Sequence, residues 1–413
     1  MLPLILAAEA RGPKVIRLNL GEPNFNIPGC VKDAIKLELD KNNTHYCDPQ
    51  GILPLRQAIA EQIFHSRGLN ISPDQVVVLP GAKPAIGFSQ EIYCDPGEEI
   101  LYPSPGFPIY ESFIPTVGGI PKALVLQEKN NFALTPDLLE QNLSSKTKLL
   151  YLNYPSNPTG GILSAEEIKT LGQVILNKAP ADFRIFSDEI YEDILFDGNT
   201  LESFSRHPEL GKKTIICSGF SKSYAWTGGR LGYAVLPTVE EAAWFKAWNI
   251  NYFSCVSPYQ QAAAVVALNH PESQEAVKQM VATFQKRRDL AHGMLINIPS
   301  MHCIKPAGAF YLFPNVGLIC GNLGILDVYE KLSPELKTQY QPSTIFQKFL
   351  LEEHAVAVMD RPSFSKAGSE NQHFIRLSIA ANEADLVEGI KRIKEASDDY
   401  QGCQRFLSQN YPI

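Results

Sequence analysis

A single lysine, Lys222, stands among small and aromatic residues in the stretch SGFSKSYAWTGGR, which runs from 218 to 230. Lysines are usually solvated surface charges, and glycines usually mark turns. This lysine, however, follows the apolar run TIIC at 214–217, which predicts a short buried strand. A residue just past the carboxyl end of such a strand stands where open α/β sheets bind ligands. Lys222 is therefore a candidate ligand-binding residue.

Three more polar residues follow strand-like runs: Asn157 in SNPTG, and Asp188 and Tyr191 in SDEIY. Each has an ordinary explanation, as a turn residue, a helix cap or a core aromatic. Parallel strands, however, bring their carboxyl ends to one edge of a sheet, which would gather these side chains beside Lys222. The set is completed by Arg230 and by the turn Gly81–Ala82, which stands at a predicted helix start. Such a set suits an anionic aromatic cofactor.

An alternation of strands and helices between about residues 75 and 300 has to position these residues. A capping box from Ser164 to Glu167 predicts the start of one amphipathic helix, and another begins near Lys83. The runs that predict strands are QVVVLPG, EEILYPSPG, TKLLYLNYPSNPTGG, FRIFSDEIY and TIICSGFSK. This alternation predicts an α/β fold with a mostly parallel sheet between helices. After a long helical stretch from about residue 270, the chain reads as a smaller α+β part.

Composition narrows the function classes. The 413 residues suffice for two domains or one large α/β domain. A net charge of −7 without a Lys/Arg cluster argues against a nucleic-acid partner. No apolar run is long enough to span a membrane. The start of the chain, MLPLILAAEARG, has no basic region before its apolar run and predicts a helix rather than a signal peptide.

The eight cysteines are scattered along the chain without a Cys-x-x-Cys pair. The eight histidines likewise show no metal-ligand spacing. Both observations favour reduced thiols in a cytoplasmic protein over a disulfide framework, and predict no metal site.

Together the motifs resemble those of the pyridoxal-phosphate (PLP) aminotransferases of fold type I, class I/II, and most closely the bacterial aspartate aminotransferases. The resemblance covers nearly the whole chain, and several motifs in order are far more specific than any one of them. In family order they are NLGEPNFNIP, YCDPQGILPLR, PGAKPAI, PGFPIY, NYPSNPTGG, SDEIYED, FSKSYAWTGGRLGY, KPAGAFY and FIRLSIA. The resemblance implies a large PLP-binding domain at 31–295 with a seven-stranded sheet. It also implies a small α+β domain built from 1–30 and 296–413.

The resemblance also implies roles around the cofactor ring. Lys222 would bind PLP covalently and later move a proton, with its pKa lowered by burial and nearby cations. Asp188 would pair with the pyridinium nitrogen and keep it protonated. Tyr191 and Asn157 would hydrogen-bond the 3′ oxygen, and Phe107 would stack on the ring.

The cofactor phosphate would lie on the amides of Gly81 and Ala82, with Arg230 as a charged clamp. Lys83 would either add positive charge near this phosphate or bind the distal carboxylate of a dicarboxylic substrate. Tyr46 resembles the tyrosine that reaches the phosphate of a neighbouring subunit, which implies a homodimer with shared active sites.

On the substrate side, Arg376 would bind the α-carboxylate through two parallel hydrogen bonds, a geometry that lysine cannot copy. Gly21 would let the chain pass close to the substrate. Phe107 and Asn157 would also face the substrate.

The chain departs from the family pattern at several positions. Gly219 replaces a common serine, which puts one phosphate contact in doubt. TGGR replaces Thr-Gly-Trp-Arg beside Arg230, and the segment 319–345 is longer than usual. Asp360-Arg361 stands where relatives usually have Pro-Gly, and we hypothesise that Arg361 receives a distal substrate group.

The sequence therefore predicts an aminotransferase that moves an amino group from an L-amino acid to a 2-oxo acid in a ping-pong cycle. Glutamate with 2-oxoglutarate is one expected pair, aspartate the expected other donor, and aromatic or alanine donors come next. A PLP-dependent β-lyase on the same fold is the alternative enzyme. The sensor domain of a transcription regulator is a non-enzymatic alternative, but such proteins carry a DNA-binding segment before the fold, and about twenty residues precede Gly21.

Overall fold

The computed structural model describes residues 2–10, 12 and 14–411. The strands are β1 (Ile16–Arg17), β2 (Val76–Leu79), β3 (Glu99–Ser104), β4 (Ile120–Val125), β5 (Thr147–Asn153), β6 (Arg184–Asp188), β7 (Thr214–Gly219), β8 (Gly232–Val235), β9 (Tyr311–Leu312), β10 (Val356–Ala357), β11 (Met359–Asp360) and β12 (Ile375–Ser378). The helices are α1 (Leu2–Glu9), α2 (Gly29–Asp40), α3 (Leu53–Arg67), α4 (Lys83–Tyr93), α5 (Ile109–Phe113), α6 (Pro136–Asn142), α7 (Ala165–Lys178), α8 (Pro208–Gly211), α9 (Phe220–Ser223), α10 (Val239–Phe253), α11 (Pro258–Asn269), α12 (Pro271–Leu295), α13 (Gly317–Asn322), α14 (Ile325–Lys331), α15 (Pro334–Gln339), α16 (Pro342–His354), α17 (Glu383–Asp398) and α18 (Tyr400–Asn410).

The largest sheet has seven strands in the order β2-β8-β7-β6-β5-β3-β4. β8 runs antiparallel to both of its neighbours, β2 and β7. The pairs β3–β4, β3–β5, β5–β6 and β6–β7 are parallel. Strands β2, β7 and β8 are buried along their whole length, as expected for a sheet covered by helices on both faces. The predicted α/β fold with a mostly parallel sheet is confirmed.

Local signals explain where α7 begins. The hydroxyl of Ser164 accepts a hydrogen bond from the Glu167 amide at 3.3 Å. The carboxylate of Glu167 accepts one from the Ser164 amide at 2.7 Å. This reciprocal pair is the predicted capping box, and it satisfies two amide groups that the helix itself leaves without partners.

Both ends of the chain contribute to a second, smaller set of elements. β1 pairs in parallel with β10, and β11, β12 and β9 form an antiparallel sheet. The predicted helix at the start of the chain is α1, which packs through Ile5 and Ala8 against a cluster that includes Leu351. The division into 31–295 and 1–30 with 296–413 stays a prediction, and its end residues 1 and 413 lie outside the described residues.

The carboxyl ends of three adjacent parallel strands lie side by side. Asn153, the last residue of β5, is in register with Asp188, the last residue of β6. Asp188 in turn is in register with Cys217, two residues before the end of β7. This edge of the sheet positions the candidate site. Among the described residues, no helix is long and apolar enough to cross a membrane.

Candidate active site

A cavity of about 390 Å³ opens at this edge of the sheet. Ten residues predicted from the sequence line it: Gly21, Ala82, Lys83, Phe107, Asn157, Asp188, Tyr191, Lys222, Arg230 and Arg376. The elements that carry them are distant in sequence, and the fold brings them together.

Lys222 lies in the single-turn helix α9, which follows β7 directly. Its Nζ donates a hydrogen bond to the carbonyl oxygen of Gly21 at 2.5 Å. Burial first, and then the positive charges of Arg376 and Arg230, lower the pKa of this amine to about 8, against the opposing charges of Glu22 and Asp188. About a tenth of the amine is therefore unprotonated and nucleophilic at pH 7.

Asp188 ends β6 at the floor of the cavity. One of its carboxylate oxygens accepts a hydrogen bond from the Tyr110 hydroxyl at 2.6 Å, and the other accepts one from the Ile190 amide at 3.3 Å. Burial raises its pKa to about 6, and the hydrogen bond from Tyr110 acts against that rise. A buried carboxylate in this position is suited to pair with a cationic ring nitrogen.

The loop that carries Asp188 and Tyr191 is anchored from behind by a buried ion-pair network. Arg67, at the end of α3, bonds Glu189 at 2.5 Å and Glu192 at 2.6 Å. The two glutamates stand in the same loop as the cavity residues Asp188, Ile190 and Tyr191, so the arginine fixes the loop without lining the cavity itself.

Tyr191 and Asn157 face the cavity from the carboxyl ends of β6 and β5. The hydroxyl of Tyr191 lies 2.9 Å from that of Tyr311, and burial raises its pKa well above the usual value for tyrosine. The amide nitrogen of Asn157 donates to the side-chain oxygen of Asn153 at 2.8 Å, while Asn153 donates to the carbonyl of Asp188 at 2.9 Å. The two asparagines therefore tie neighbouring strand ends together.

Arg376, on β12, is buried beside Asn157. Its guanidinium donates to the Asn157 side-chain oxygen at 2.9 Å and to the carbonyl of Asn19 at 2.7 Å. Its Nε is buried and has no hydrogen-bond partner among the described residues. Burial lowers the pKa of Arg376. Arg376 lines the cavity, and a guanidinium with unused hydrogen-bonding capacity suits a carboxylate ligand.

The turn before α4 forms an anion cradle. Gly81 has φ of +89°, and a Cβ there would lie 2.4 Å from Nη2 of Arg230, so only glycine fits. Gly232 is equally required, because its Cβ would lie 2.5 Å from the Ala82 amide nitrogen. No side chain caps the start of α4 at Lys83, which leaves its first amides free to bind an anion.

Lys83 and Phe107 lie together at another wall of the cavity. The Nζ of Lys83 lies 5.8 Å from the centre of the Phe107 ring. Lys83 is the first residue of α4 and is exposed at the cavity.

A side chain at Gly21 would collide with the Tyr311 hydroxyl, which lies 2.6 Å from the Cβ position.

The structure also explains two departures from the family pattern. A Cβ at Gly219 would lie 2.7 Å from the Cα of Gly232, so this position of β7 has no room for a serine. A Cβ at Gly229 would lie 2.1 Å from the indole nitrogen of Trp226, so a side chain three residues earlier fills the space beside Arg230.

Three predicted residues do not line the cavity: Gly81, in the turn before α4, and two residues from other parts of the chain, Arg361 and Tyr46. The hypothesis that Arg361 receives a distal substrate group is wrong, because Arg361 is 0% exposed and its guanidinium is saturated by internal hydrogen bonds. Tyr46 is 89% exposed and does not line the cavity of its own chain.

Sequence reasoning missed several residues of the site. Asn153, Ser221 and Tyr311 line the cavity, and Tyr110 bonds Asp188 from behind it. Ser221 could have been found because it directly precedes Lys222, and Asn153 because it starts the motif NYPSNPTGG at a strand end. Tyr110 and Tyr311 end the quoted motifs PGFPIY and KPAGAFY, but those motifs do not indicate that the tyrosines contact Asp188 and Tyr191, because only the fold brings them there.

The donor set fits the expected cofactor. The cavity combines a helix-start anion cradle with Arg230, a buried carboxylate at Asp188, and an amine of lowered pKa at Lys222. A phosphate, a pyridinium nitrogen and an aldehyde are the three groups of PLP that match these donors and acceptors.

Comparisons with known proteins agree with this geometry. Residues 13–393 match the family model "Aminotransferase class I and II". The aspartate aminotransferase of Geobacillus stearothermophilus is 34% identical over 93% of this chain and 92% of its own length. Aromatic-amino-acid aminotransferase 2 of Thermococcus litoralis is 32% identical over 92% of this chain and 91% of its own. The crystal structure of the Rhizobium meliloti aspartate aminotransferase superposes with a TM-score of 0.86 at 32% identity, covering 96% of this chain and 95% of that one. The match spans nearly the whole chain, and the chain belongs to the class I and II aminotransferases, a family of PLP-dependent transaminases.

Proposed function

We propose that this transaminase uses dicarboxylic substrates, with glutamate and 2-oxoglutarate as one pair and aspartate as the other preferred donor. One observation carries the proposal: besides Lys222 and Arg230, which we assign to the cofactor, the cavity is lined by two further cations for two carboxylates, Arg376 and Lys83. Lys83 is exposed and forms no ion pair with another described residue, so its ammonium can meet a second carboxylate in the cavity. The names of several relatives agree with this substrate class.

When bound, PLP supplies an electron sink that makes the α-proton of an amino acid acidic. We propose that Lys222 holds the cofactor and, once released, moves the proton at the substrate α-carbon. Its lowered pKa supports this role, because a base works best when its pKa is near the operating pH. The carbonyl of Gly21 gives the free amine a hydrogen-bond partner.

The other proposed cofactor contacts follow from charge and shape. Asp188 keeps the ring nitrogen protonated, and Phe107 covers a ring face. Tyr191 and Asn157 hold the ring oxygen, and both already lie in a hydrogen-bond network that fixes their orientation. The phosphate rests on the cradle formed by the amides of Ala82 and Lys83, with Arg230 beside it. The predicted contact with the Gly81 amide is not supported, because that amide donates to the carbonyl of Leu79 at 2.7 Å.

We propose that Arg376 orients the substrate by binding its α-carboxylate. Its contact with the Asn157 oxygen holds the guanidinium in place, and its unpartnered Nε gains a partner only when a substrate binds. Gly21 leaves room for the substrate backbone next to Tyr311.

Aromatic donors are the second candidate class. Phe107, Tyr311, Ile86 and Ile190 give the cavity apolar walls that suit an aromatic side chain. A mobile lysine can turn away from a neutral substrate without a clash, so one cavity can serve both classes.

The test is a screen of half-reactions by cofactor absorbance. Enzyme loaded with PLP is mixed with aspartate, glutamate, phenylalanine, tyrosine or alanine, and the rate of conversion to the pyridoxamine form is measured. Aspartate and glutamate are expected to react fastest at limiting concentration. Release of pyruvate and ammonia from cysteine without an added oxo acid would instead indicate a β-lyase.

We also propose a homodimer in which Tyr46 reaches the cofactor phosphate of the neighbouring subunit. The exposure of its ring supports this, as do the exposed Ile250, Tyr252 and Phe253 at the end of α10. Hydrogen bonds from Asn249 to Pro49 and from Cys47 to Val256 hold the loop after Tyr46 against the end of α10 and the segment that follows it. Neighbouring exposed apolar side chains of this kind mark interaction surfaces. Sedimentation at assay concentration tests the dimer.

We propose a cytoplasmic location. All eight cysteines are free thiols, as expected for a reducing compartment. Fractionation of native cells with detection of the chain tests the location.

A further inference from the structure

Arg361 is a buried arginine that opens the 3-10 turn Arg361–Phe364. Its guanidinium donates to the main-chain carbonyls of Ser365 at 2.7 Å, Ala367 at 3.3 Å and Phe364 at 3.4 Å. One guanidinium therefore holds three of the four carbonyls of the segment 364–367. The segment needs support, because Ser365 has φ of +88°, in the left-handed region that favours glycine.

The same guanidinium joins this segment to two other parts of the molecule. It donates to the hydroxyl of Ser104 at 3.0 Å and to the side-chain oxygen of Gln372 at 2.9 Å. All five of its hydrogen bonds therefore end on neutral oxygen atoms. Burial lowers its pKa to about 10, so it stays charged at neutral pH. A planar fork with five donors fills this role, and lysine cannot.

Ser104 connects the segment 364–367 to a cavity wall. It ends β3, its hydroxyl donates to the carbonyl of Ala367 at 2.5 Å, and the amide of Gly106 donates to the carbonyl of Phe364 at 3.0 Å. The next residue, Phe107, lines the cavity. Arg361 thus holds the start of the loop that presents Phe107.

Phe364 connects the same segment to the substrate arginine. Its side chain is 2% exposed, and its ring centre lies 4.9 Å from the Cζ of Arg376. The ring of Tyr311 lies 4.3 Å from the same atom. Two aromatic rings therefore contact the guanidinium of Arg376, and the position of one depends on Arg361.

We propose that Arg361 is a positioning residue for substrate binding, acting through Phe364 on Arg376 and through Ser104 on Phe107. The inference rests on the proposed role of Arg376 in binding the α-carboxylate. Arg361 never touches the substrate, but a small shift of the Arg376 guanidinium weakens a bidentate contact strongly. It therefore sets the affinity for every amino acid, whatever its side chain.

The test measures three properties of the holoenzyme: unfolding temperature, cofactor affinity, and affinity for 2-methylaspartate, which has both carboxylates but no α-proton to lose. Arg361→Lys is expected to weaken 2-methylaspartate binding by about tenfold to a hundredfold and cofactor binding by less, because Arg361 reaches the cofactor only through Phe107. Steady-state kinetics should show a raised KM for aspartate and for alanine alike. Phe364→Leu should reproduce the effect, and the double variant should lose less than the sum of the two, because both act on one contact.

The matched control is Arg288→Lys. Arg288 is also fully buried and donates to a main-chain carbonyl, that of Pro306 at 2.5 Å, but it does not line the cavity. The Arg288→Lys variant should have a lower unfolding temperature but the same affinity for 2-methylaspartate as the wild type. The inference would be overturned if Arg361→Lys lowered the unfolding temperature but kept the wild-type affinity for 2-methylaspartate.

Two further variants, Ser104→Ala and Arg376→Lys, ensure that every result either supports or contradicts the inference. If Arg361→Lys does not fold, Phe364→Leu and Ser104→Ala carry the test, and wild-type affinity in both overturns the inference. Arg376→Lys separates the two proposals: if it leaves 2-methylaspartate affinity intact, the proposed function of Arg376 fails. If Arg376→Lys weakens binding but the Arg361 and Phe364 variants do not, only the present inference fails.

Discussion

The hydroxyl of Tyr110 donates a hydrogen bond to the carboxylate of Asp188 at 2.6 Å, and both side chains are buried. The ring of Tyr110 is stacked on that of Tyr151, with centres 4.7 Å apart and planes at 8°. The donor therefore has a fixed position beneath the carboxylate that we expect to pair with the cofactor ring. It stabilises the ionised form of Asp188 against the effect of burial.

Tyr110→Phe is expected to make cofactor binding more sensitive to acid. Without the donor, the pKa of Asp188 rises further above about 6, so the carboxylate becomes protonated at a higher pH. Affinity of the apoprotein for PLP, measured by fluorescence quenching between about pH 5 and pH 8, should begin to fall at a higher pH than in the wild type. Tyr154→Phe is the control, since the Tyr154 hydroxyl accepts only from the Leu134 amide at 3.3 Å. An unchanged pH profile in Tyr110→Phe would contradict the expectation.

Asp188→Asn should stabilise the apoprotein at alkaline pH. Burial raises the pKa of Asp188 from its ordinary 3.8 to about 6, so the folded state favours the protonated carboxyl. The contribution of this group to stability is full below pH ~3.8 and is lost as the pH rises through about 6. The shift corresponds to at most ~3 kcal/mol of unfolding free energy, which asparagine should restore at pH ~8 and not at pH ~4. Denaturant unfolding of the apoprotein at both pH values measures the difference.

Asp193→Asn serves as the comparison for this effect. Burial also raises the pKa of Asp193 to about 6, but Asp193 does not line the cavity. Both variants should therefore gain stability at alkaline pH, while only Asp188→Asn should lose PLP affinity. Equal stabilisation of Asp188→Asn at acidic and alkaline pH would exclude a charge effect.

Borohydride reduction of the PLP-loaded protein is expected to fix the cofactor on Lys222. Arg376→Gln should slow this attachment near neutral pH. Arg376 is the nearby cation that lowers the pKa of Lys222 most, so its loss raises that pKa above about 8 and reduces the unprotonated amine. A rise of about one unit means about tenfold less reactive amine. Peptide mapping locates the modified lysine, and its discovery elsewhere would exclude the proposed site.

Tyr46→Phe should weaken PLP binding only if a second subunit supplies the tyrosine. Loss of a hydrogen bond to a charged phosphate costs about 1.5–3 kcal/mol, or roughly tenfold to a hundredfold in affinity. A hybrid of Tyr46→Phe and Lys222→Ala chains should regain one tight site per dimer, because one cavity then has both side chains. Tyr400→Phe, at a tyrosine that is 55% exposed and lies outside the proposed interface, is the control. A tight site that does not reappear in the hybrid would contradict a shared cavity.

The sheet could be predicted from sequence where a short apolar run is followed by a turn. That condition holds for β5, β6 and β7, which contain the runs LLYL, IF and IIC and carry the strand-end residues. The missed strands lack it: β4 starts at the exposed Ile120 and contains Pro121, and it lies at the edge of the sheet. The four-residue β8 follows two glycines closely, and its antiparallel direction depends on pairing with β2 and β7.

The site residues that belong to short local motifs could be predicted from the sequence. Lys222, Asp188 and Asn157 each stand in a run whose spacing predicts a strand end. Arg361 was misinterpreted, since its burial depends on Ser104, 257 positions away in the chain. Long-range packing of this kind decides whether an arginine meets a ligand or holds a backbone segment, and no local pattern reports it.

Lys83→Ala should lower kcat/KM for aspartate and glutamate and spare alanine. The lysine lies 5.8 Å from the Phe107 ring centre and reaches the mouth of the cavity, where a distal carboxylate would bind. Loss of one lysine–carboxylate contact in a partly desolvated site costs about 1.5–3 kcal/mol, or roughly tenfold to a hundredfold in kcat/KM. Lys83→Arg keeps the charge and should retain most of the preference for dicarboxylic substrates. Steady-state kinetics with the three donors decides the matter, because equal losses for aspartate and alanine would mean that Lys83 serves the cofactor phosphate and does not read the substrate.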